Sequence, residues 1–320
     1  MGAPAIAASI ALAITAGACG THSTGSRDSG ESGSTAGAAS KTVGVTLLTR
    51  EDEFYRSLED GLRKAAAAHG YKLIVQSGDR DLAKQQSQID NFIVQKVDAI
   101  VLCPVDTKGI GPAIERANAA KIPVFTADIA AQGGRVVSHV ASDNVAGGKL
   151  AADYIAKAIG DSGQVGLVGE NDVQTTIDRQ RGFKDALAVH PKISLVAQLD
   201  GQGVRDRALK AADDLLQAHP QVAAIFAIND ESAFGTLSAA QARKKNIVII
   251  GYDAGPEARR DIAAGTQLKA DVGQQPGLIG QKTIDAIASL FAGQTPPATI
   301  AVPVTIVDAD SVKAQAAAKP

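Results

Sequence analysis

Tryptophan is absent, methionine occurs once, cysteine occurs twice, and the aromatic complement is seven Phe and four Tyr in 320 residues. Two cysteines exclude a disulfide framework and a cysteine-rich zinc site. A formal net charge of −2 excludes the basic excess of a general nucleic-acid binder. No GxxxxGK[ST] phosphate loop, GxGxxG turn, HExxH pair or GxSxG elbow occurs. The five histidines, His22, His69, His139, His190 and His219, form no close pair, and His139 reads as a core or edge histidine within a strand. What is present is ample apolar material: 45% apolar and 21% charged residues build real cores, and the length fits two domains better than one.

The first forty residues stand apart. Met1 to Ala18 is uncharged and almost wholly Ala, Ile, Leu, Gly and Ser, too short and too small-sided for a membrane span. Residues 1–19 read as a signal peptide whose small residues Ala16-Gly17-Ala18 precede Cys19. Small residues before a cysteine resemble a bacterial lipobox, which predicts lipid on Cys19 and attachment to a membrane through that anchor. Residues 20–40, rich in Gly, Ser, Thr and Ala, read as a flexible tether.

From Lys41 onward, β-branched runs alternate with amphipathic helical stretches, the pattern of βαβ units and parallel sheets. The expected strands are Thr42–Thr49, Tyr71–Gln76, Ala99–Cys103, Val124–Asp128 and Val136–Ser142, then Val165–Glu170, Ser194–Asp200, Ala224–Asn229, Ile247–Asp253 and Leu268–Gln274, with a last extended segment Thr299–Val307. Continuous apolar strands imply sheets covered on both faces. So many strands predict an α/β protein of two doubly wound parallel-sheet lobes joined by a hinge. Lobe 1 is assigned residues 41–142 plus 275–303, and lobe 2 residues 143–274 plus 304–320. The last helix, Gly277–Ala292, returns to the first lobe. Gly147-Gly148-Lys149 lacks the rest of a phosphate loop and reads as close helix packing.

Ligands of doubly wound sheets bind beyond the carboxyl ends of the strands. The residues there are mostly polar: Cys103-Pro104, Asp128, Ser142-Asp143, Glu170-Asn171, Asp200, Asn229-Asp230, Asp253 and Gln274. Phe54-Tyr55 and Tyr252 add aromatics. Carboxylates, amides and aromatic rings together suit a sugar, whose hydroxyls both donate and accept and whose ring faces are apolar. Asp143, Asn144 and Asp230 precede helices and read as N-caps, whereas Asp128, Asp253 and Gln274 face a ligand. A cleft of hydrogen-bonding groups without nucleophile, base pair or metal cluster points to binding without turnover, with no cofactor.

At these residues the chain resembles the ribose-binding type of periplasmic sugar-binding protein, the substrate-capturing subunit of ABC importers. The stretches that carry the resemblance are Val136–Lys149 (VVSHVASDNVAGGK), Asn229-Asp230-Glu231 and Gly251-Tyr252-Asp253, within a similarity covering Lys41 to Asp308. The resemblance implies a periplasmic binding protein type I-like fold and a monomer that takes a monosaccharide by hinge closure and delivers it to a membrane permease. It implies that Phe54 and Tyr55 sandwich the sugar and that Asp128, Arg179, Asn229, Asp253 and Gln274 bind its hydroxyls. Arg181 lies two residues from Arg179 and competes for the same role. This chain departs from the pattern at Asp52, where a ligand-binding Asn is usual, at Ile129, where an Arg is usual, and at Cys103, which replaces an Asn lining the pocket. A third aromatic has no counterpart near Gln202–Val204. These changes predict a neutral monosaccharide or cyclic polyol other than plain ribose, with Arg179 as the offsetting cation; side chains elsewhere, Arg50 among them, could refill the gap. A sugar-sensing receptor subunit and a LacI-like regulator share the fold. The regulator needs a DNA-binding headpiece that residues 20–40 cannot form.

Overall fold

A computed structural model describes Gly2 and residues 40–317. Apart from Gly2, the expected signal peptide with Cys19 and the expected tether up to residue 39 lie outside the described residues. The body begins with β1 (Thr42–Leu47), α1 (Glu53–Ala68), β2 (Lys72–Ser77), α2 (Leu82–Val94), β3 (Ala99–Leu102), α3 (Gly111–Ala119), β4 (Val124–Ala127) and β5 (Val136–Ser142). A second series follows: α4 (Asn144–Ala158), β6 (Gly163–Gly169), α5 (Gln174–Leu187), β7 (Ile193–Asp200), α6 (Arg205–Ala218), β8 (Val222–Ala227), α7 (Asp230–Ala242), β9 (Val248–Asp253), α8 (Pro256–Ala263) and β10 (Leu268–Gly273). The chain ends with α9 (Pro276–Phe291), β11 (Thr299–Val302), β12 (Thr305–Asp308) and α10 (Ala309–Ala317).

Two six-stranded sheets result, ordered β11-β5-β4-β3-β1-β2 and β12-β10-β9-β8-β6-β7. All pairings are parallel except β10 with β12. The fold is thus a pair of α/β lobes, and the chain passes between them after β5, after β10 and after β11. The segment expected as one extended run over 299–307 is two strands in different sheets. Pro303 lacks the N–H that a continuing strand would donate, so the run breaks there. Gly277–Ala292 is likewise not the last helix, because α10 follows it.

Each sheet is covered on both faces, and four apolar clusters fill the four faces. In β1 the alternation sends Val43, Val45 and Leu47 to the side of α1 and α9, while Gly44 lies under Phe92 of α2, where a Cβ would meet the ring at 2.7 Å. Leu58 and Leu62 of α1, one turn apart, are fully buried. Helix pairs cross closely where glycine removes the Cβ. In the second lobe a Cβ at Gly148 of α4 would stand 2.0 Å from the Arg179 carbonyl of α5, which accounts for Gly147-Gly148 as helix packing. That close crossing also sets the position of Arg179. Asp143 caps α4 by accepting from the Ala146 amide at 3.0 Å.

Candidate functional site

The strand ends of the two sheets converge on one cavity. From the first lobe it is lined by Leu48, Asp52, Phe54 and Tyr55 around the start of α1, by Arg80 from the turn before α2, and by Asp128 and Ile129 after β4. From the second lobe come Glu170 after β6, Val173, Thr175, Thr176 and Arg179 around α5, Asn229 at the cap of α7, Asp253 at the end of β9 and Gln274 after β10. Every residue singled out as ligand-facing lines it except Cys103. The Cys103 side chain is fully buried, and burial and the Asp128 charge push its thiol well up. It therefore sits behind the wall, in the apolar cluster that also holds Val45, Tyr55 and Phe125.

The two lobes present matching strained carboxylates. Asp128 has φ +66° and Asp253 φ +112°, left-handed values that non-glycine residues adopt at a cost and that cluster at binding sites. Asp128 accepts from the Tyr55 hydroxyl at 2.9 Å through Oδ2, while its Oδ1 is buried without a partner among the described residues. Burial pushes its pKa up to about 6 against the opposing pull of Arg179 and Tyr55. Asp253 accepts from Gln274 Nε2 at 2.6 Å and is pushed well up by burial, which the Arg179 charge opposes. Gln274 Oε1 is a second buried acceptor without a partner. The turn after Asp253 is held by two further carboxyls: Asp271 accepts from the Ala254 amide and Asp230 from the Gly255 amide, at 3.2 and 2.8 Å. Burial raises both carboxyls, and the neighbouring Asp230 charge adds to the rise at Asp271.

Arg179 is buried between these groups. Its Nε donates to Asn144 Oδ1 and its Nη1 to the Ile228 carbonyl, both at 2.9 Å. Nη1 also stands 3.8 Å from Asp253 Oδ1, and the guanidinium lies 3.8 Å above the Tyr252 ring. Arg181 is exposed and pairs with Asp178, so only Arg179 reaches the cavity. Asn144 is not a cap: its side chain orients Arg179 and donates to the Ser142 carbonyl at 3.0 Å. Nor is Asp230 the cap of α7. Asn229 caps it, accepting from the Ser232 amide at 2.8 Å, and it donates to the Gly203 carbonyl at 3.1 Å. Phe54 and Tyr55 meet edge to face at 5.2 Å, so Phe54 presents the ring surface while Tyr55 supports Asp128. His139 is half-buried in β5 and bonds Thr126 at 2.8 Å. Burial pulls its pKa down to about 4.

Two charged lining residues were not singled out from sequence. Arg80 follows β2, in the turn before α2. Its Nη2 donates to Asp52 Oδ2 at 2.9 Å, and Nη1 lies 3.9 Å from Glu170 Oε1 across the cleft. Arg50, one of the side chains open to refilling the site, pairs with Glu59 at 2.7 Å, because α1 presents that carboxylate on its flank. Arg179 is thus not the sole cation. Glu170 was legible only as a polar strand end. Burial raises its pKa to about 7, with Arg80 and Arg179 opposing.

A carboxyl raised above its unfolded value favours folding below that value and loses the contribution as pH rises through the folded pKa. For Glu170 the window runs from 4.5 to about 7. Relative to Glu170→Gln, the wild-type protein is therefore expected to lose about 1 kcal/mol of unfolding free energy between about pH 6 and about pH 7.5. Urea unfolding of both proteins across that range checks this, and the comparison cancels the opposing titration of His139. A constant difference would show that Glu170 is not held in this environment.

Comparison with known proteins gives a consistent picture. A family model described as periplasmic binding protein domain matches residues 43–295. The ribose import binding protein RbsB of Salmonella typhimurium is 37% identical over 258 residues, 80% of this chain and 86% of the relative. An ABC transporter solute-binding protein from Agrobacterium vitis, solved with α-D-tagatopyranose, superposes with a TM-score of 0.82 at 28% identity, covering 86% of this chain and 97% of the other. One from Bacillus halodurans, solved with myo-inositol, does so at 0.80 and 26% identity, covering 88% and 99%.

Proposed function

The chain belongs to the periplasmic binding protein domain family, and on that premise we propose that it captures one neutral monosaccharide or cyclic polyol outside the cytoplasm and hands it to an ABC permease. The observation that carries the reading is the pair of buried, partnerless acceptors, Asp128 Oδ1 from one lobe and Gln274 Oε1 from the other, facing a common cavity. A buried acceptor left unmatched costs about 1–3 kcal/mol. A ligand whose hydroxyls donate to both removes that cost only when the lobes meet around it, which couples binding to closure. The cavity has an empty volume of about 410 Å³, counting the part open to solvent, which is room for a single ring with its hydroxyls.

Thermal unfolding of the protein from residue 40 onward, screened against D-ribose, D-tagatose, other pentoses and hexoses, pentitols and inositols, tests the reading. A ligand at 100 times its Kd is expected to add about 2.7 kcal/mol of stability. A flat response across the panel would overturn the proposal. D-ribose is expected to rank below the tightest binder, because Asp52 and Ile129 alter the donor pattern on the first-lobe side.

Attachment through Cys19 is part of the same proposal. It is supported by the small residues before Cys19 and the polar, small-residue stretch after it, and by the burial of Cys103, the other cysteine. Cys19→Ser is expected to release the protein from host membranes into the soluble fraction. Unchanged membrane retention would refute the anchor and leave the capture reading standing.

A further inference from the structure

The charged pair that spans the cleft has no part in the acceptor argument above, yet the fold builds it with care. Asp52 occupies the N-cap position of α1 but makes no side-chain cap bond. Its carboxylate is turned to Arg80 instead. Arg80 itself sits on a left-handed turn, with Asp79 at φ +51° and Arg80 at φ +57°, a conformation that carries its side chain to the cavity. Glu170, from the other lobe, keeps a carboxyl against the loop at Gly203, where a Cβ would stand 2.9 Å from Glu170 Oε2. Among the described residues the Arg80 guanidinium makes one hydrogen bond, to Asp52, so Nε and Nη1 retain N–H groups beside the cavity that it lines.

We propose that Arg80 and Glu170 form a cross-cleft selectivity pair that grips the hydroxyls of a neutral sugar or polyol and rejects sugar acids. The inference rests on the capture reading and deepens it. Arg80 donates to a ligand hydroxyl oxygen, and the Glu170 carboxylate accepts that hydroxyl's or its neighbour's hydrogen. A carboxylate on the ligand would face Glu170 and Asp52 at close range. The cavity's two guanidiniums do not compensate, because each is already matched: Arg80 by Asp52, and Arg179 by Asp253 with Asp128 nearby. Like charges facing each other in a desolvated site oppose binding. Selectivity here comes from a repulsive group as much as from attractive ones.

Titration calorimetry at about pH 8, where Glu170 is ionised, tests this with D-ribose, D-tagatose and myo-inositol as neutral probes and D-ribonate and D-galacturonate as acids. Arg80→Gln is expected to weaken the tightest neutral probe about tenfold or more, with partial recovery in Arg80→Lys, as for a lost charged hydrogen bond. Glu170→Gln is expected to raise the affinity for at least one acid about tenfold relative to that neutral probe. If the wild type binds a neutral probe and both variants match it in affinity and selectivity, the pair has no such role. If Glu170→Gln leaves the acid-to-neutral ratio unchanged, the rejection of acids by Glu170 is refuted even where Arg80→Gln weakens binding. A wild type that binds the acids more tightly than every neutral probe overturns the pair and leaves capture standing. A wild type that binds no probe overturns the capture reading and the pair with it.

Discussion

Arg179→Ala is expected to abolish sugar capture and to destabilise the protein by about 3–5 kcal/mol, the range for breaking a buried charge pair from one side. The residue is 4% exposed, and its side chain joins three elements through Asn144, the Ile228 carbonyl and the Tyr252 ring. Its removal strips Asp253 of its nearest cation and leaves a cavity against Tyr252. Without that charge, burial raises the Asp253 and Asp128 carboxyls further. Arg179→Lys is not expected to rescue binding, since an ammonium cannot donate as a planar fork to Asn144 and Ile228 together. Urea unfolding gives the stability change and calorimetry the binding. Near-wild-type values for both would mean that the carboxylates do not depend on this guanidinium.

Asp128→Ala and Asp253→Ala are each expected to weaken the tightest ligand of the screen about 10- to 150-fold, the equivalent of one charged hydrogen bond. Both proteins should remain folded. Alanine meets left-handed strain of about 1–2 kcal/mol at these backbones, but the buried carboxyl and its desolvation disappear with the side chain. The two losses should exceed additivity in neither direction by much if each carboxylate takes a separate hydroxyl, and a double variant measures that coupling. Unchanged affinity in both single variants would remove these residues from the binding site.

The chain's own pattern determined the alternation of strand and helix, the two-lobed α/β architecture, and the polar character of the strand ends. These are local properties. β-branched runs, helical spacing such as Leu58 and Leu62, and the turn residues between them act within a few positions, and burial on both sheet faces makes the runs continuous. Even the close packing at Gly148 was legible, because only a missing side chain fits such a crossing. Tertiary structure decided the rest, since each of those outcomes depends on a partner far away in the chain. Asn229 rather than Asp230 caps α7, and Asp230 is drawn instead to the Gly255 amide. Asn144 leaves its capping role because Arg179, 35 positions on, meets it across the α4–α5 crossing. Arg50 is taken by Glu59, and Arg80 reaches the cavity because two left-handed residues redirect the chain after β2. Cys103 is buried by the packing around β3, and Glu170 meets a cation only because a second lobe stands opposite it. Polarity at a strand end is written in the sequence, but the charge that faces it is set by which distant backbone the fold brings within a few ångströms.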